Sequence, residues 1–314
     1  MAAADSRAGR RSRPRCGKER KTLMKVLNFG SLNIDYVYSV DHILREGETI
    51  LSSKLEEFPG GKGLNQSIAL ARAGVPVYHA GAVGQDGGKL LELCAANGVN
   101  TDFIARVDGK NGHTMIQVDK NGQNSILLFG GSNQAQTEEH ISQVLEHFGE
   151  GDMIVLQNEV NLLDLIIEKA YERGMTIVLN PSPYDEKLKA CDMSKVSWFL
   201  LNEVEAEQMT GEKDIARMPD ALLAQYPGAR FVLTLGSRGS VYKDAQAEYH
   251  QDIFPVKAVD TTAAGDTFTG YFLASVIEGR SIPEALRTAA LASSIAVSRP
   301  GASSSIPRRE EIPV

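Results

Sequence analysis

The stretch that decides the fold runs from Met153 to Asn180, MIVLQNEVNLLDLIIEKAYERGMTIVLN. It opens with a β-rich run, Met153–Gln157, continues through a helical segment, Leu162–Glu172, and closes with a second β-rich run, Thr176–Asn180. A strand, a helix of this size and another strand spell a βαβ crossover, which places the two strands parallel in one sheet. The same rhythm extends in both directions. Further β-rich runs stand at Lys25–Gly30, Val77–Val83, Trp198–Asn202 and Phe231–Leu235, and helical segments at Leu64–Ala73, Leu90–Ala96, Thr137–Phe148 and Glu203–Met209. From about residue 263 the chain is helical again through Ile277, and then over Ile282–Val297. The expectation is an α/β fold: three layers, with a doubly wound, mainly parallel sheet covered by helices on both faces.

Two stretches break the rhythm. Residues 35–58 and 103–129 read as strand, turn and strand without a helix, with hairpin signals at Asp108-Gly109 and Asn121-Gly122. They are expected to form a small separate sheet. In that sheet, alternation divides His113, Met115 and Gln117 from Thr114, Ile116 and Val118. The first set is the more polar of the two and faces either a bound ligand or solvent.

Composition narrows the class. The chain has 314 residues, 42% apolar and 23% charged, within the usual globular balance. No run approaches the roughly 18 apolar residues of a membrane-spanning helix. Three widely spaced cysteines, Cys16, Cys94 and Cys191, form neither a disulfide framework nor a zinc motif and favour a reducing, cytoplasmic setting. Residues 1–23 carry eight basic groups against two acids, leaving 25 basic and 38 acidic side chains, a net charge of −13, in the rest. That balance argues against nucleic-acid binding. The basic tail, with little apolar content beyond alanine, is expected to be disordered and dispensable, with Met24 as the functional start. The histidines at 42, 79, 140, 147 and 250 show no metal-ligand spacing and are read as ordinary surface or packing residues.

Ligands of open parallel sheets bind at the carboxyl ends of strands, where loops enter helices. One such junction reads Val259-Asp260-Thr261-Thr262-Ala263-Ala264-Gly265-Asp266-Thr267-Phe268-Thr269-Gly270. The small residues Ala263, Ala264 and Gly265 let backbone amides approach a ligand closely, and the helix beginning there favours an anion. Asp266, in the same turn, either caps the helix electrostatically or takes a proton from an attacking hydroxyl while the amides hold phosphate charge. A second junction, Phe58-Pro59-Gly60-Gly61-Lys62-Gly63-Leu64-Asn65-Gln66, is glycine-rich but is not a P-loop, because GxxxxGK[ST] is absent. It is either a flexible turn or a ligand-covering loop. Gly30-Ser31-Leu32-Asn33-Ile34-Asp35 follows the first strand without the GxGxxG turn of a nicotinamide site, and places Asn33 and Asp35 where a polyhydroxylated ligand needs donors and acceptors.

The Gly-Gly-Lys-Gly-x-Asn stretch and Asp-Thr-x-Ala-Ala-Gly-Asp-Thr-Phe-x-Gly resemble the two signatures of the PfkB family of carbohydrate kinases. Further landmarks follow in order at Asn180-Pro181-Ser182-Pro183, Asn202–Glu207, Thr234–Gly239 and Arg299-Pro300-Gly301. The resemblance covers the chain from Met24 to about Ile312. It implies ATP-dependent phosphorylation of a sugar's primary hydroxyl, D-ribose to D-ribose 5-phosphate being the expected reaction, with Asp266 as general base. The amides around Ala263, Ala264 and Gly265 would form the anion hole. Asn33, Asp35, Gly61, Lys62, Gly63, Asn65 and Glu159 would hold the sugar. Asn202 and Glu205 would organise the Mg²⁺–phosphate end of ATP, their spacing also being that of an N-cap and its capping-box acid. Thr234, Gly236, Ser237, Arg238 and Gly239 would border the nucleotide, and Ala290 stands near the adenine where the family often has a polar ring. A monovalent cation, K⁺ by family habit, would lie at Asp260, Thr262, Ala296, Arg299, Gly301 and Ser305. The helix-free stretches would form a lid over the sugar and pair with a second subunit. Kinases of another ketose or of a nucleoside remain open alternatives, as does a non-catalytic sugar-sensing protein, although a binding-only protein needs no general base.

Overall fold

The computed structural model describes residues 24–313. The expected disordered tail, residues 1–23, lies outside the described residues. Thirteen strands and eight α-helices follow one another in the order β1 Val26–Phe29, β2 Asn33–Ser39, β3 Lys54–Gly60, α1 Lys62–Arg72, β4 Val77–Val83, α2 Gly88–Ala96, β5 Asn100–Arg106, β6 Gly112–Val118, β7 Asn124–Phe129, α3 Glu138–Leu145, β8 Met153–Gln157, α4 Leu163–Glu172, β9 Thr176–Asn180, β10 Trp198–Asn202, α5 Glu203–Thr210, α6 Met218–Gln225, β11 Arg230–Thr234, β12 Ser240–Lys243, β13 Glu248–Gln251, α7 Ala264–Ile277 and α8 Ile282–Val297.

Nine strands form the central sheet in the order β13-β12-β11-β10-β9-β8-β1-β4-β5. It is parallel from β5 through β11, with β12 and β13 added antiparallel at one edge. Strands β1, β8 and the body of β9 are buried on both faces, which explains their unbroken apolar runs. Alternate residues feed two cores. Val26, Val155, Val178, Leu200 and Val232 pack with α1, α2, α7 and α8. Leu27, Ile154, Leu179, Phe199 and Phe231 pack with α3, α4, α5 and α6 on the other face. The expected doubly wound, three-layer architecture is present. The chain winds outward from β1 through β4 to β5, then returns to place β8 on β1's other side. The strand order therefore reverses between β1 and β8, where such folds open a ligand crevice at the carboxyl ends.

Four strands form a second, mixed sheet, β3-β2-β6-β7. Two expectations need correction. Residues 103–106 belong not to this sheet but to β5, which pairs in parallel with β4 at the edge of the central sheet. Asp108-Gly109 accordingly joins one sheet to the other and is no hairpin turn, while Asn121-Gly122 does connect the antiparallel pair β6 and β7. A dipeptide turn signal fixes a local reversal and does not say which sheet its flanking strands join. Helix α6 and the β12–β13 hairpin were not foreseen. Among the described residues no helix is long and apolar enough to cross a membrane.

Candidate active site

Ser31 at the end of β1 and Glu159 at the end of β8 meet at the reversal point. Ser31 Oγ donates to Glu159 Oε2, which also accepts the Lys62 backbone amide at 2.9 Å. The glycine loop entering α1 is shaped by close approach and is no loose turn. Gly61 caps α1 with φ +97°, a left-handed value that favours glycine. A Cβ on Gly63 would stand 2.4 Å from the Ser31 amide nitrogen. The loop thus lets α1 sit directly on the β1 turn, aims Lys62 and Asn65 into the crevice, and buries Gln66 against Asp266.

Opposite lies the first turn of α7. Ala263 is its N-cap in the left-handed region (φ 59°), a strained position for a residue with a Cβ. Asp266, 7% exposed, is held from α1 on both oxygens: Asn65 Nδ2 donates to Oδ2 at 3.0 Å and Gln66 Nε2 to Oδ1 at 2.9 Å. The Ala264 amide turns back to the Thr261 carbonyl at 3.2 Å. The amides of Gly265 and Asp266 are among those that a helix start leaves without a partner within the helix. Gly265 is exposed, with open space where a Cβ would stand. Burial works against the charge of Lys62, but the carboxylates of Asp266, Glu159 and Glu205 outweigh it and hold the ammonium above the ordinary lysine value.

A cleft of about 1320 Å³ joins these elements, and the second sheet roofs it. The roof contributes Asn33, Asp35, Val37, Thr114, Ile116, Val118, Ile126 and Leu128, so the Thr114 set faces the cleft and the His113 set does not. Asn133 Nδ2 anchors Asn33 Oδ1 at 2.6 Å, and Thr114 Oγ1 donates to Asp35 Oδ1 at 2.5 Å. Burial pushes the Asp35 carboxyl up, against the opposing effect of that Thr114 bond.

Toward the other end, Asn202 caps α5, and Glu205 completes the capping box by accepting the Asn202 amide at 2.8 Å and its side-chain Nδ2 at 3.0 Å. Both residues nevertheless line the cleft, so one pair serves as helix cap and cleft wall. A second, more apolar cavity of about 390 Å³ lies beyond, walled by Gly236, Ser237, Gly239, Phe254, Val256, Ala290 and Val297. Thr234, Ala264, Gly265 and Phe268 line both cavities. The start of α7 is therefore the partition between a larger, more polar chamber and an apolar slot. Arg238 lines neither cavity: it is exposed and paired with Glu203 at 3.4 Å.

Asp260 ties two loops together, accepting the Thr262 amide at 2.8 Å and the Gly301 amide at 2.9 Å. All three line the cleft, whereas Ala296, Arg299 and Ser305 do not. The Ala296 carbonyl accepts the Arg299 amide at 3.0 Å, and Ser305 Oγ donates to the Ala302 carbonyl at 2.8 Å. The donor set is one carboxylate among hydroxyls and carbonyls, oxygen ligands of the kind a hard cation takes.

Several partners escaped sequence reading. Gln66 had a usable signal, being one turn along the same helix from Lys62 and next to Asn65. Asn133, a hundred residues from Asn33, had none.

A buried acid held beside free helix-start amides, between a polar chamber and an apolar slot, defines a site for phosphoryl transfer to a small polar molecule. Residues 24–309 match the family model described as pfkB family carbohydrate kinase. The chain belongs to the pfkB family of carbohydrate kinases and is an ATP-dependent sugar kinase. It is similar to the ribokinase of Bacillus subtilis (strain 168), 35% identical over 287 residues that cover 90% of this chain and 96% of the relative. Among solved structures it resembles the Cryptococcus neoformans ribokinase in complex with ADP (31% identity, TM-score 0.80, 91% and 98% of the two chains covered). It also resembles the Arabidopsis thaliana ribokinase complexed with ribose and ATP (28% identity, TM-score 0.80, 91% and 96% covered).

Proposed function

We propose that the chain transfers the γ-phosphoryl group of ATP to the primary hydroxyl of D-ribose, giving D-ribose 5-phosphate and ADP. The observation that carries this reading is Asp266, buried at the partition between the cavities with both oxygens held by α1. Ribose occupies the roofed chamber, its hydroxyls meeting Asn33, Asp35, Asn65 and Glu159. Lys62 and the Gly61–Gly63 backbone close the floor. Asp266 removes the proton from the primary hydroxyl, the freed oxygen attacks the γ-phosphorus, and the bond to the β-phosphate oxygen breaks to release ADP. Amides at Gly265 and Asp266 hold the charge that gathers on the transferred group. The apolar slot takes the adenine, which stacks against apolar walls and Ala290 instead of a polar ring.

Asn202 and Glu205 face the phosphate end and are the residues that would hold Mg²⁺, which supplies charge neutralisation for the transferred group. Asp260, Thr262 and Gly301 would hold a monovalent cation, K⁺, through oxygen ligands at the start of α7, with Ala296, Arg299 and Ser305, which lie outside the cleft wall, as further backbone or hydroxyl oxygen donors. The unpaired apolar side chains on the roof's outer face support a homodimer through that sheet. The free thiols of Cys94 and Cys191 suit a reducing, cytoplasmic compartment.

The test is ADP release from Mg-ATP across ribose, deoxyribose, fructose, uridine and adenosine, each with and without K⁺. The strongest signal is expected with ribose, stimulated by K⁺. A signal confined to another acceptor would move the substrate while leaving the kinase chemistry. Asp266→Asn keeps the shape and removes the base, so turnover should fall about 10²–10⁴-fold with ATP binding retained. Near-normal turnover in that variant would sink the base assignment.

A further inference from the structure

Beneath α1 a continuous line of fully buried polar side chains runs from Asp266 into the core. Gln66 Nε2 donates to Asp266 Oδ1 at 2.9 Å. Gln157 Nε2 donates to Gln66 Oε1 at 2.7 Å and to Asn28 Oδ1 at 3.0 Å. Asn28 Nδ2 donates to Ser67 Oγ and to the Gly63 carbonyl, both at 2.8 Å. Ser67 Oγ lies 2.7 Å from His79 Nδ1, and His79 Nε2 lies 3.3 Å from the Gly30 carbonyl.

The direction of every bond in this line follows from the carboxylate at its head. An ionised carboxylate only accepts, so Gln66 must present its NH₂ to Asp266 and its oxygen to Gln157. Gln157 must then spend both amide protons, one on Gln66 and one on Asn28. Its own Oε1, although buried, is left without a hydrogen-bond partner among the described residues. Flipping the Gln157 amide would free that oxygen only by setting it against the oxygens of Gln66 and Asn28. Asn28 in turn donates twice, Ser67 passes its hydrogen to His79 Nδ1, and the imidazole is a neutral ring with its proton on Nε2, toward Gly30. An unsatisfied buried oxygen costs stability, and the orientation that carries this cost is the one that serves Asp266.

We infer that Gln66 is a positioning residue for the general base: held in one orientation by Gln157 and Asn28, it fixes the orientation of the Asp266 carboxylate. This rests on Asp266 being the base. Asp266 accepts one amide on each oxygen and keeps a lone pair on each for the sugar hydroxyl. Lys62 from α1 and Glu159 from the β8 end are the charged side chains whose fields reach it. The neutral state of His79, whose burial holds it down to about 4, keeps the far end of the line uncharged under assay conditions.

The test compares wild-type enzyme with Gln66→Met, Gln157→Leu, their combination and Asp266→Asn. Each is assayed with Mg-ATP and the best acceptor sugar between pH 5 and 9. Gln66→Met should keep both KM values within about twofold, lower kcat about tenfold or more, and move the acid limb of the kcat/KM profile up by about one pH unit, because the charged acid has lost a donor. Gln157→Leu should move the limb the same way by less. The double variant should move it no further than Gln66→Met, since Gln157 acts through Gln66. An unmoved limb in a folded Gln66→Met enzyme, or shifts that add in full, overturns the inference. If Gln66→Met does not fold, the isosteric Gln66→Glu sets a second carboxyl against Asp266 and must push the limb higher still; an unmoved limb there overturns it equally. Asp266→Asn separates the two readings. Retained turnover removes the base itself, whereas collapse of turnover with an unmoved limb in the Gln66 variants removes only the positioning role.

Discussion

His79 has no solvent exposure, and burial lowers its basicity from the ordinary 6.5 to about 4. The unfolded chain therefore binds a proton near pH 6.5 that the folded chain refuses until about pH 4. Stability contributed by the neutral ring is fully present above pH 6.5, is lost as pH falls through that window, and amounts to about 3 kcal/mol. Denaturant unfolding measured from pH 7 to 4 should show this loss in the wild-type protein on top of the carboxylate contributions. His79→Asn should be less stable at pH 7, because Ser67 loses its acceptor, yet should show a flatter decline on acidification. Parallel declines would mean that His79 titrates alike in the folded and unfolded chains. The lack of metal-ligand spacing marked this histidine only as a surface or packing residue; its place in the polar line depends on Ser67 and Gly30, which only the folded β1–α1 contact brings to it.

The two helix starts that face each other across the cleft use glycine for opposite reasons. At the start of α1, Gly63 lies against backbone, and a Cβ there would meet the Ser31 amide nitrogen at 2.4 Å and the Gly30 carbonyl carbon at 2.6 Å. At the start of α7, Gly265 faces empty space. Gly63→Ala should therefore destabilise the fold by about 1–3 kcal/mol, through overpacking against groups that cannot swing aside, and should raise the KM for the sugar as the Ser31–Glu159 contact shifts. Gly265→Ala should leave the melting temperature unchanged or slightly raised, since alanine is the better helix former, while turnover falls about tenfold or more as the methyl enters the phosphoryl site. Equal losses of stability in the two variants would refute this distinction. Both glycines were legible in the sequence as loop-to-helix junctions, because small residues before a helix have a local meaning. The ligand-facing role of Gly265 was legible too, but what Gly63 is small for was not, because that depends on the β1 turn lying against it. The assignment of residues 103–106 failed for the same reason: a strand's own residues set its pleat, and its neighbour sets its sheet.

The central sheet was readable because its crossovers are local and each strand is buried on both faces. The second sheet is different, since β2 pairs with β6 across some eighty residues, and its outer face carries apolar side chains that nothing among the described residues covers. Leu55, Met115, Leu127 and Phe129 are 53, 44, 68 and 52% exposed, all on the side turned away from the cleft. Registration brings Met115 opposite Leu127 and His113 opposite Phe129, so these side chains form one patch and are not scattered. A contiguous apolar patch beside open sheet edges is a surface that seeks a partner, and a second copy of the same sheet supplies an equal and complementary one. Closing two roofs on each other would also steady the strands that carry Asn33, Asp35 and Thr114, coupling assembly to sugar binding. Sedimentation of the wild-type chain at micromolar concentration should accordingly show a dimer. Leu127→Lys combined with Met115→Lys should shift it to a monomer that keeps its fold and ATP affinity but has a raised KM for the sugar. A wild-type monomer, or a double variant that remains dimeric, would place the subunit contact elsewhere and leave the roof to act alone.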